Sequence, residues 1–285
     1  MQWQTTRFEI DLSKPRVMGI VNVTPDSFSD GGQHSDTRSA LQHCEQMLRE
    51  GAHLLDIGGE STRPGSPAVP LAEELLRVVP LVKEAVKLGV PISVDTYKPE
   101  VMAAVLDLGA DVINDIWALR RLGTAGPPSA MEVVSAHPNC GICLMHMHRD
   151  PQSMQVAPME GDAVPQVRSF LVQAAEAIQM GGVDRRRIVL DPGIGFGKTV
   201  AQNFSLLARQ QELLAAGFPL LVGWSRKSSI AAALQGDAKE LPVPSERVIG
   251  SVAAALLAAE RGAHVLRVHD VKETVQALRI LDSVT

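Results

Sequence analysis

Cysteine is scarce in this sequence: Cys44, Cys140 and Cys143 are the only three among 285 residues. An odd and sparse set of this kind does not form a disulfide framework, and a chain of this length can bury a core large enough to need none. The first fifteen residues are polar and lack the apolar segment of a secretory signal. We therefore expect a protein of the reducing cytoplasm.

Long hydrophobic runs and an excess of one charge are also missing. The longest uninterrupted apolar run covers residues 252–259, whereas a membrane-spanning helix needs about 18 apolar residues or more. The 27 basic and 32 acidic side chains leave a formal charge of −5, so no broad cationic surface is expected for nucleic acid or for an anionic membrane. With 45% hydrophobic and 21% charged residues, the composition predicts a soluble globular protein.

Eight short β-rich segments alternate with stretches of helical periodicity along the whole chain. The β-rich segments are residues 16–22, 54–59, 91–96, 111–116, 141–146, 188–193, 220–225 and 265–270. Four helical stretches, 37–51, 71–89, 165–182 and 246–262, end in glycine, where helices are commonly capped. Residues 235–246 predict an exposed excursion, but no linker divides the chain. The pattern predicts a single (β/α)8 TIM barrel over residues 1–285, with its active site at the C-terminal ends of the strands.

Two local motifs resemble functional sequences without completing them. GIGFGKT (193–199) ends like a phosphate-binding P-loop, but proline occupies position 192, where that loop requires glycine. Cys140 and Cys143 have the spacing of a redox pair, yet they run into a predicted strand, and thiolate activation needs a helix N-terminus. Neither a nucleotide triphosphate site nor a redox centre is expected.

A metal site is a weaker alternative. His146 and His148 share one face of a predicted strand, because alternate residues of a strand point the same way. With Asp191 as a third ligand they would form a zinc site, which leaves a barrel metallohydrolase open. Polar histidines at a strand end are the preferred interpretation.

Two long, polar, glycine-rich loops follow the first two predicted strands. The first loop follows Asn22 within the segment VMGIVNVTPDSFSDGG (17–32). The second loop lies within DIGGESTRPGS (56–66) and contains Thr62 and Arg63. Solvated turns are the alternative interpretation. At the mouth of a barrel, however, such loops are typical of mobile lids over a ligand.

Three later strands each end in an acidic or amide side chain: Asp95 in SVDTYKP, Asn114 in DVINDI and Asp191 in VLDPGIGFGKT. A carboxylate accepts two parallel N–H bonds, and an asparagine amide both donates and accepts, so this set suits a flat heterocycle with an amidine-like edge. Capping of the following helix is the alternative role for Asp95 and Asp191.

Basic residues follow the last two strands. GWSRKSSI (223–230) contains Lys227, and in VLRVHDV (265–271) Arg267 and His269 are two residues apart and therefore share the side that faces the barrel interior. Basic side chains buried in an acidic protein need compensation, which a phosphate or diphosphate ligand would supply. The loops after strands seven and eight are also a frequent phosphate site in barrels.

In this order and spacing, VMGIVNVTPDSFSDGG, DIGGESTRPG, DPGIGFGKT, GWSRKSSI and RVHD resemble the dihydropteroate synthase family of bacterial folate synthesis. The resemblance covers essentially the whole chain. It implies a transferase that joins 6-hydroxymethyl-7,8-dihydropterin diphosphate to 4-aminobenzoate and releases diphosphate, with Mg²⁺ as cofactor. It also implies a homodimer and a target of sulfonamides.

The resemblance further implies roles for individual residues. Asn22 would bind magnesium. The pterin would contact Asp95, Asn114, Met145, Asp191 and Lys227. The diphosphate would contact Thr62, Arg63, Arg267 and His269. The aminobenzoate would contact Pro64, Phe196 and Ser228, and Phe28 and Asp30 of the first loop would lie beside it. The predicted catalytic residues are Asp30, Arg63, Lys227, Arg267 and His269.

Two alternatives stay open beside this assignment. A methyltetrahydrofolate–corrinoid methyltransferase would share the pterin-binding aspartates and asparagine but not the Ser-Thr-Arg-Pro-Gly and Ser-Arg-Lys-Ser motifs. A non-catalytic pterin-binding paralogue would have lost Asn22, Arg63 or Arg267, all of which are present. No nucleophilic triad is recognisable, and none is needed where a neutral aromatic amine is the nucleophile.

Overall fold

The computed structural model describes residues 1–23, 33–61, 65–124 and 126–284. The strands are β1 (Gln2–Gln4), β2 (Glu9–Asp11), β3 (Arg16–Asn22), β4 (Leu54–Gly58), β5 (Ile92–Asp95), β6 (Val112–Asp115), β7 (Leu122–Gly123), β8 (Gly126–Ser129), β9 (Gly141–Met145), β10 (Ile188–Asp191), β11 (Leu221–Val222) and β12 (Val265–Val268). The helices are α1 (Gln33–Glu50), α2 (Leu71–Ala85), α3 (Pro99–Asp107), α4 (Ala130–Ala136), α5 (Ala163–Met180), α6 (Val200–Ala208), α7 (Gln210–Leu214), α8 (Ser228–Leu234), α9 (Val248–Glu260) and α10 (Val271–Asp282).

Eight of the strands form one parallel sheet in the order β10-β9-β6-β5-β4-β3-β12-β11. A parallel bridge between Leu190 and Leu220 joins its two ends, so the sheet closes on itself and the helices lie around it. The fold is a TIM barrel, and each of its eight strands falls within a segment predicted from the sequence. The observed strand β11 is shorter than the predicted segment 220–225, because the backbone turns away after Val222 into the loop that holds Lys227.

The strands alternate between the barrel interior and the surrounding helices. In β12, Leu266 and Val268 belong to the core between strands and helices, whereas Arg267 hydrogen-bonds inside the barrel to residues of β4 and β5. This is the alternation expected of strands that are covered on both faces. It decides which side chains of each strand can reach a ligand at the mouth.

The N-terminal end of the barrel is closed by a hairpin that the sequence did not predict. Strands β1 and β2 pair antiparallel, and Trp3, Ile10 and Leu12 pack on interior residues such as Met18 and Leu54. The Trp3 indole is fully buried and donates a 2.9 Å hydrogen bond to the carbonyl of Arg187. The interior formed by the described residues is therefore packed at this end of the barrel.

Two further parts of the structure lie outside the barrel wall. Strands β7 and β8 form a second short hairpin between β6 and α4. Most residues from 235 to 246 are exposed, as expected from the sequence. None of the helices in the described part of the chain is long and apolar enough to cross a membrane.

Candidate active site

A cavity of about 850 Å³ opens at the C-terminal ends of the barrel strands. Because parallel strands all end at the same rim, side chains that are far apart in sequence meet there. Seven of the residues predicted from sequence line this cavity: Asn22, Asp95, Phe196, Lys227, Ser228, Arg267 and His269. Asn114, Met145 and Asp191 are buried next to these residues rather than on the cavity surface.

A hydrogen-bonded network of two carboxylates, an amide and a guanidinium lies at the base of the cavity. Arg267 Nη2 donates to Asp95 Oδ2 at 2.7 Å, and Arg267 Nε donates to Asp56 Oδ2 at 2.6 Å. Asn114 Nδ2 donates to the same Asp56 oxygen at 3.1 Å. The sequence argument that Arg267 needs an anionic ligand for compensation is therefore wrong in its reason, since two carboxylates already pair with it.

Burial and charge act in opposite directions on this network. Burial raises the pKa of Asp95 to about 7, and nearby carboxylates, Asp56 among them, raise it further. The charge of Arg267 acts in the opposite direction and lowers this pKa. Burial alone would lower the pKa of Arg267, but Asp56 and Asp95 raise it above its ordinary value. Arg267 is thus a permanent cation beside a carboxylate that titrates near neutrality.

Two opposite charges, Asp191 at the end of β10 and Lys227 in the loop after β11, lie close enough to interact electrostatically. Asp191 accepts a 2.7 Å hydrogen bond from the Gly193 backbone N–H, which fixes the turn at the end of β10. The Lys227 ammonium donates to the carbonyl of Ile194 and lies 4.7 Å from the centre of the Phe196 ring. Burial lowers the pKa of Lys227 to about 8, even though the charge of Asp191 opposes the change.

The loop that carries Lys227 is held in an unusual backbone conformation. Arg226 has a φ of 59°, in the left-handed region that non-glycine residues seldom adopt. Its N–H donates to Ser251 Oγ at 2.8 Å, its carbonyl accepts from Arg247 at 2.9 Å, and its guanidinium pairs with Asp270. These contacts with α9, with the residue that precedes it and with the residue that precedes α10 hold the strained backbone in place and direct Lys227 into the site.

An apolar cluster and a polar pair complete the described walls of the cavity. Met145 packs in a small cluster with Ile116, Met147 and Met154, and Phe196 packs against that cluster. On the other side, His269 Nδ1 lies 3.0 Å from Ser225 Oγ, which also accepts from the His269 backbone N–H. The cavity therefore has an apolar wall for a flat ring and a polar wall with cationic groups.

Five of the predicted residues belong to the two loops that follow β3 and β4. Phe28, Asp30, Thr62, Arg63 and Pro64 lie outside the residues that the structure describes. Glu60, at the start of the second loop, binds the buried Lys98 ammonium together with Glu74, so the start of the loop is fixed to the segment after β5.

The structure also decides between the alternatives for several motifs. Asp95 and Asp191 do not cap helices, because Lys98 and Thr199 occupy the N-cap positions of α3 and α6. Lys198 of the P-loop-like motif is buried and donates to His146 Nδ1 and to the carbonyl of Gly193, so its ammonium stabilises the protein's own loop.

The redox and zinc alternatives gain no support. Cys140 and Cys143 are free and buried, and burial raises the pKa of both thiols. Burial and the charge of Lys198 lower the pKa of His146 to about 2. Within the described ranges, no three His, Cys, Asp or Glu side chains are grouped so that they could hold a metal ion.

Asp56 is a described residue of the site that was not predicted from the sequence. Its side chain is fully buried, yet it connects two predicted residues, Asn114 and Arg267. A signal was present in the sequence: in the strand LLDIG, period-two alternation places the aspartate on the same face as Leu54 and Gly58. A charged residue in the middle of such a strand indicates a buried partner.

Comparison with known proteins assigns the chain to a class. Residues 18–269 match the family model described as pterin binding enzyme. The chain belongs to the family of pterin-binding enzymes.

Individual relatives narrow the class. Dihydropteroate synthase of Escherichia coli K12 is 46% identical over 275 residues, which are 96% of this chain and 93% of the relative. A Burkholderia cenocepacia dihydropteroate synthase complexed with 7,8-dihydropteroate is 47% identical with a TM-score of 0.87, over 99% of this chain and 96% of that one. A Yersinia pestis dihydropteroate synthase in complex with a sulfonamide drug is 45% identical with a TM-score of 0.90, over 100% and 99%.

Proposed function

We propose that this chain is a dihydropteroate synthase. It joins 6-hydroxymethyl-7,8-dihydropterin diphosphate to 4-aminobenzoate, forming 7,8-dihydropteroate and diphosphate in folate synthesis. The observation that carries the proposal is the barrel mouth, where two acceptors for a heterocycle, Asp95 on the cavity surface and Asp191 buried beside it, lie near the cations Lys227 and Arg267. The 46% identity to the E. coli synthase over nearly the whole chain supports it.

The dihydropterin ring binds at the base of the cavity. Its amidine-like edge offers parallel N–H donors, which the buried carboxylates of Asp95 and Asp191 accept, and Asn114 adds an amide. Met145 and its apolar cluster cover one face of the ring. The Lys227 ammonium interacts electrostatically with Asp191. It donates a hydrogen bond to the carbonyl side of the heterocycle.

The diphosphate binds toward the rim, next to the last strand. Arg267 and His269 lie on the same side of the chain and line the cavity together, and Thr62 and Arg63 complete this assignment from the second loop. Guanidinium groups bind phosphate oxygens by paired, charge-assisted hydrogen bonds. The aminobenzoate binds beside them, against Phe196 and Ser228, with Pro64, Phe28 and Asp30 contributed by the two loops.

The reaction is a substitution at the pterin methylene carbon. The bond from this carbon to the bridging oxygen breaks, and its electron pair leaves with the diphosphate. The amine lone pair of 4-aminobenzoate then forms the new carbon–nitrogen bond, and the nitrogen loses one proton to solvent. Substantial loss of the leaving group precedes amine attack, because the electron-rich dihydropterin stabilises the methylene cation.

Catalysis in this scheme rests on positioning and on charge. Arg63, Lys227, Arg267 and His269 stabilise the negative charge that builds up on the diphosphate, and Asp30 acts from the first loop. The site holds the neutral amine against the methylene carbon. The reaction between the two bound substrates is then effectively unimolecular.

The donor set at the cavity suits a magnesium ion. Mg²⁺ prefers oxygen ligands and commonly takes few of them from protein and the rest from substrate phosphates and water. Asn22, at the end of β3, lines the cavity and has a carboxamide oxygen of the kind that Mg²⁺ prefers. Asn22 would hold the ion, and the ion would supply positive charge to the leaving diphosphate.

The assembly and location of the protein are also part of the proposal. We expect one domain over residues 1–285, a homodimer and a cytoplasmic location. The apolar side chains of Ile249 and Leu257 on α9 are exposed, at 84% and 42%, which supports α9 as a dimer surface. Sulfonamides are expected to compete with 4-aminobenzoate.

The test is turnover by purified protein with dihydropterin diphosphate, 4-aminobenzoate and Mg²⁺, followed by chromatography of dihydropteroate and diphosphate. Product is expected only when both the amine and the metal are present, so omission of the amine and addition of EDTA are the controls. Pterin binding without product would favour a non-catalytic paralogue or a methyltransferase relative. Absence of pterin binding would overturn the proposal.

A further inference from the structure

Asp56 occupies a central position among the site residues without lining the cavity. It lies in the middle of β4, its side chain is fully buried, and one oxygen, Oδ2, accepts from both Arg267 Nε at 2.6 Å and Asn114 Nδ2 at 3.1 Å. It therefore touches one residue assigned to the diphosphate and one assigned to the pterin. Residues on three strands, β4, β6 and β12, meet at this single oxygen.

The contact with Asn114 determines which way the amide faces. An ionised carboxylate only accepts hydrogen bonds, so the amide group must turn its nitrogen toward Asp56. The amide oxygen is then the atom that Asn114 can offer to a ligand. A ligand N–H donor is preferred at that position, and a ligand carbonyl is disfavoured because it would meet another acceptor.

The contact with Arg267 leaves Asp95 able to serve the ligand. Arg267 reaches both carboxylates, with Nε on Asp56 and Nη2 on Asp95. If Asp95 exchanges part of this contact for heterocycle N–H donors, the guanidinium still has its bond to Asp56. Without Asp56, the arginine and the pterin would compete for one carboxylate.

The remaining oxygen of Asp56 shows that this arrangement costs stability. Asp56 Oδ1 is buried with no hydrogen-bond partner among the described residues, and so is Oγ of Ser93, its register partner on β5. A buried acceptor without a partner lowers the free energy of unfolding. A carboxylate kept at such a position is more readily explained by function than by stability.

We propose that Asp56 is a positioning residue that fixes the amide orientation of Asn114 and holds Arg267 in the barrel, and thereby couples pterin recognition to stabilisation of the departing diphosphate. It does not touch the reacting atoms. This inference rests on the proposed function for the roles of Asn114 and Arg267.

The test compares Asp56→Ala and Asp56→Asn with Asp111→Asn as the matched control. Asp111 is also a fully buried aspartate of the barrel that pairs with an arginine, Arg7, but it lies at the opposite end. The readouts are kcat, KM for each substrate, the Kd of 6-hydroxymethylpterin by calorimetry, and Tm. The diphosphate-free pterin reports the Asn114 effect separately from the Arg267 effect.

The expected result for Asp56→Ala is a loss in kcat of about 100-fold, as for a small displacement of a catalytic group. The Kd of 6-hydroxymethylpterin is expected to rise about tenfold, the value of one lost hydrogen bond. Asp56→Asn keeps an acceptor oxygen, so its kcat and pterin Kd should lie between those of Asp56→Ala and those of the wild type. Asp111→Asn should lower Tm while kcat and pterin Kd stay at the wild-type values.

Two results would overturn the proposal: wild-type kcat and pterin Kd in Asp56→Ala, or an equal loss of both in Asp111→Asn, which would mean a general structural effect. If the alanine variant does not fold, the asparagine variant decides by the same readouts. A wild-type protein that makes no dihydropteroate would refute the proposed function instead, and the pterin Kd would still decide whether Asp56 orients Asn114.

Discussion

Arg267 Nη2 and Asp95 Oδ2 lie 2.7 Å apart at the base of the cavity, although the two residues are assigned to opposite halves of one substrate. In the proposed function, Asp95 binds the pterin ring and Arg267 binds the diphosphate. An ion pair between them means that both groups are held in place before the substrate arrives. Preorganised charge of this kind is effective in catalysis because it costs no reorganisation during the reaction.

Replacement of Arg267 by alanine should therefore act mainly on the chemical step. We expect kcat to fall about 100- to 1000-fold, the range found when one preorganised donor to a developing charge is removed. KM for 4-aminobenzoate should stay close to wild type. Steady-state kinetics with each substrate varied separately measure both effects.

Arg186→Ala is the control for loss of an arginine, because Arg186 pairs with Asp184 on the protein surface. It should retain wild-type kcat. A normal kcat in Arg267→Ala would remove Arg267 from the catalytic step.

The pH dependence should follow Asp95 and Lys227. Burial raises the pKa of Asp95 to about 7 and lowers that of Lys227 to about 8. Below pH 7 Asp95 takes up a proton and loses an acceptor for the pterin, and above pH 8 Lys227 loses its charge. A plot of kcat/KM for dihydropterin diphosphate against pH should therefore be bell-shaped, with its maximum between these values.

Asp95→Asn separates the two sides of this profile. The amide does not titrate, so the decline on the acid side should disappear from what activity remains, while the decline on the basic side persists. If kcat/KM of this variant still declines at low pH as in the wild type, another group, such as Asp191, causes that decline.

The hairpin that closes the N-terminal end of the barrel should matter for stability and not for the chemistry. Trp3 is fully buried and far along the barrel from the cavity end. Trp3→Ala should lower the free energy of unfolding by about 3–5 kcal/mol, as for large-to-small changes at other buried aromatic positions. Denaturant unfolding measures the change, and kcat below the transition should be unaffected.

Ile280→Ala is the comparison for this variant, since Ile280 is 68% exposed. Its effect should stay within about 0.5 kcal/mol. A Trp3 variant as stable as wild type would show that the hairpin does not contribute to the core.

Lys198 should behave as a structural residue despite its P-loop-like motif. Its ammonium donates to His146 Nδ1 and to the carbonyls of Gly193 and Phe196. Lys198→Met would leave these buried acceptors without a partner and should destabilise the protein by at least about 2 kcal/mol. KM for 4-aminobenzoate should rise, because Phe196 lies in the loop that would shift.

Lys272→Met on the exposed side of α10 is the control and should change neither quantity. ATP should not raise the Tm of the wild-type protein. A rise in Tm with ATP that Lys198→Met abolishes would instead establish a nucleotide site.

Much of the architecture was predictable because it depends on local patterns. Each barrel strand is a short apolar run bounded by turn residues, and Arg16–Asn22 matches its predicted bounds. The strand-end residues Asp95 and Asn114 were predictable for the same reason, because the fold class places all strand ends at one rim.

Contacts across the barrel were not predictable in this way. That Asp56 pairs with Arg267, 211 positions later, depends on which interior layers face each other. The N-terminal hairpin escaped prediction because its strands are only three residues long, and a single buried residue such as Trp3 carries no periodicity. The left-handed backbone of Arg226 depends on contacts with α9 and carries no signal in its own sequence.

The central claim is substitution at the pterin methylene with departure of the intact diphosphate, and an isotope experiment tests it most directly. The substrate is dihydropterin diphosphate labelled with ¹⁸O at the oxygen that joins the methylene carbon to the first phosphorus. It is turned over with 4-aminobenzoate and Mg²⁺, and the products are analysed by mass spectrometry. The account predicts one dihydropteroate for each diphosphate, with the label entirely in the diphosphate. Labelled hydroxymethyldihydropterin together with unlabelled diphosphate would show cleavage at phosphorus and would contradict it.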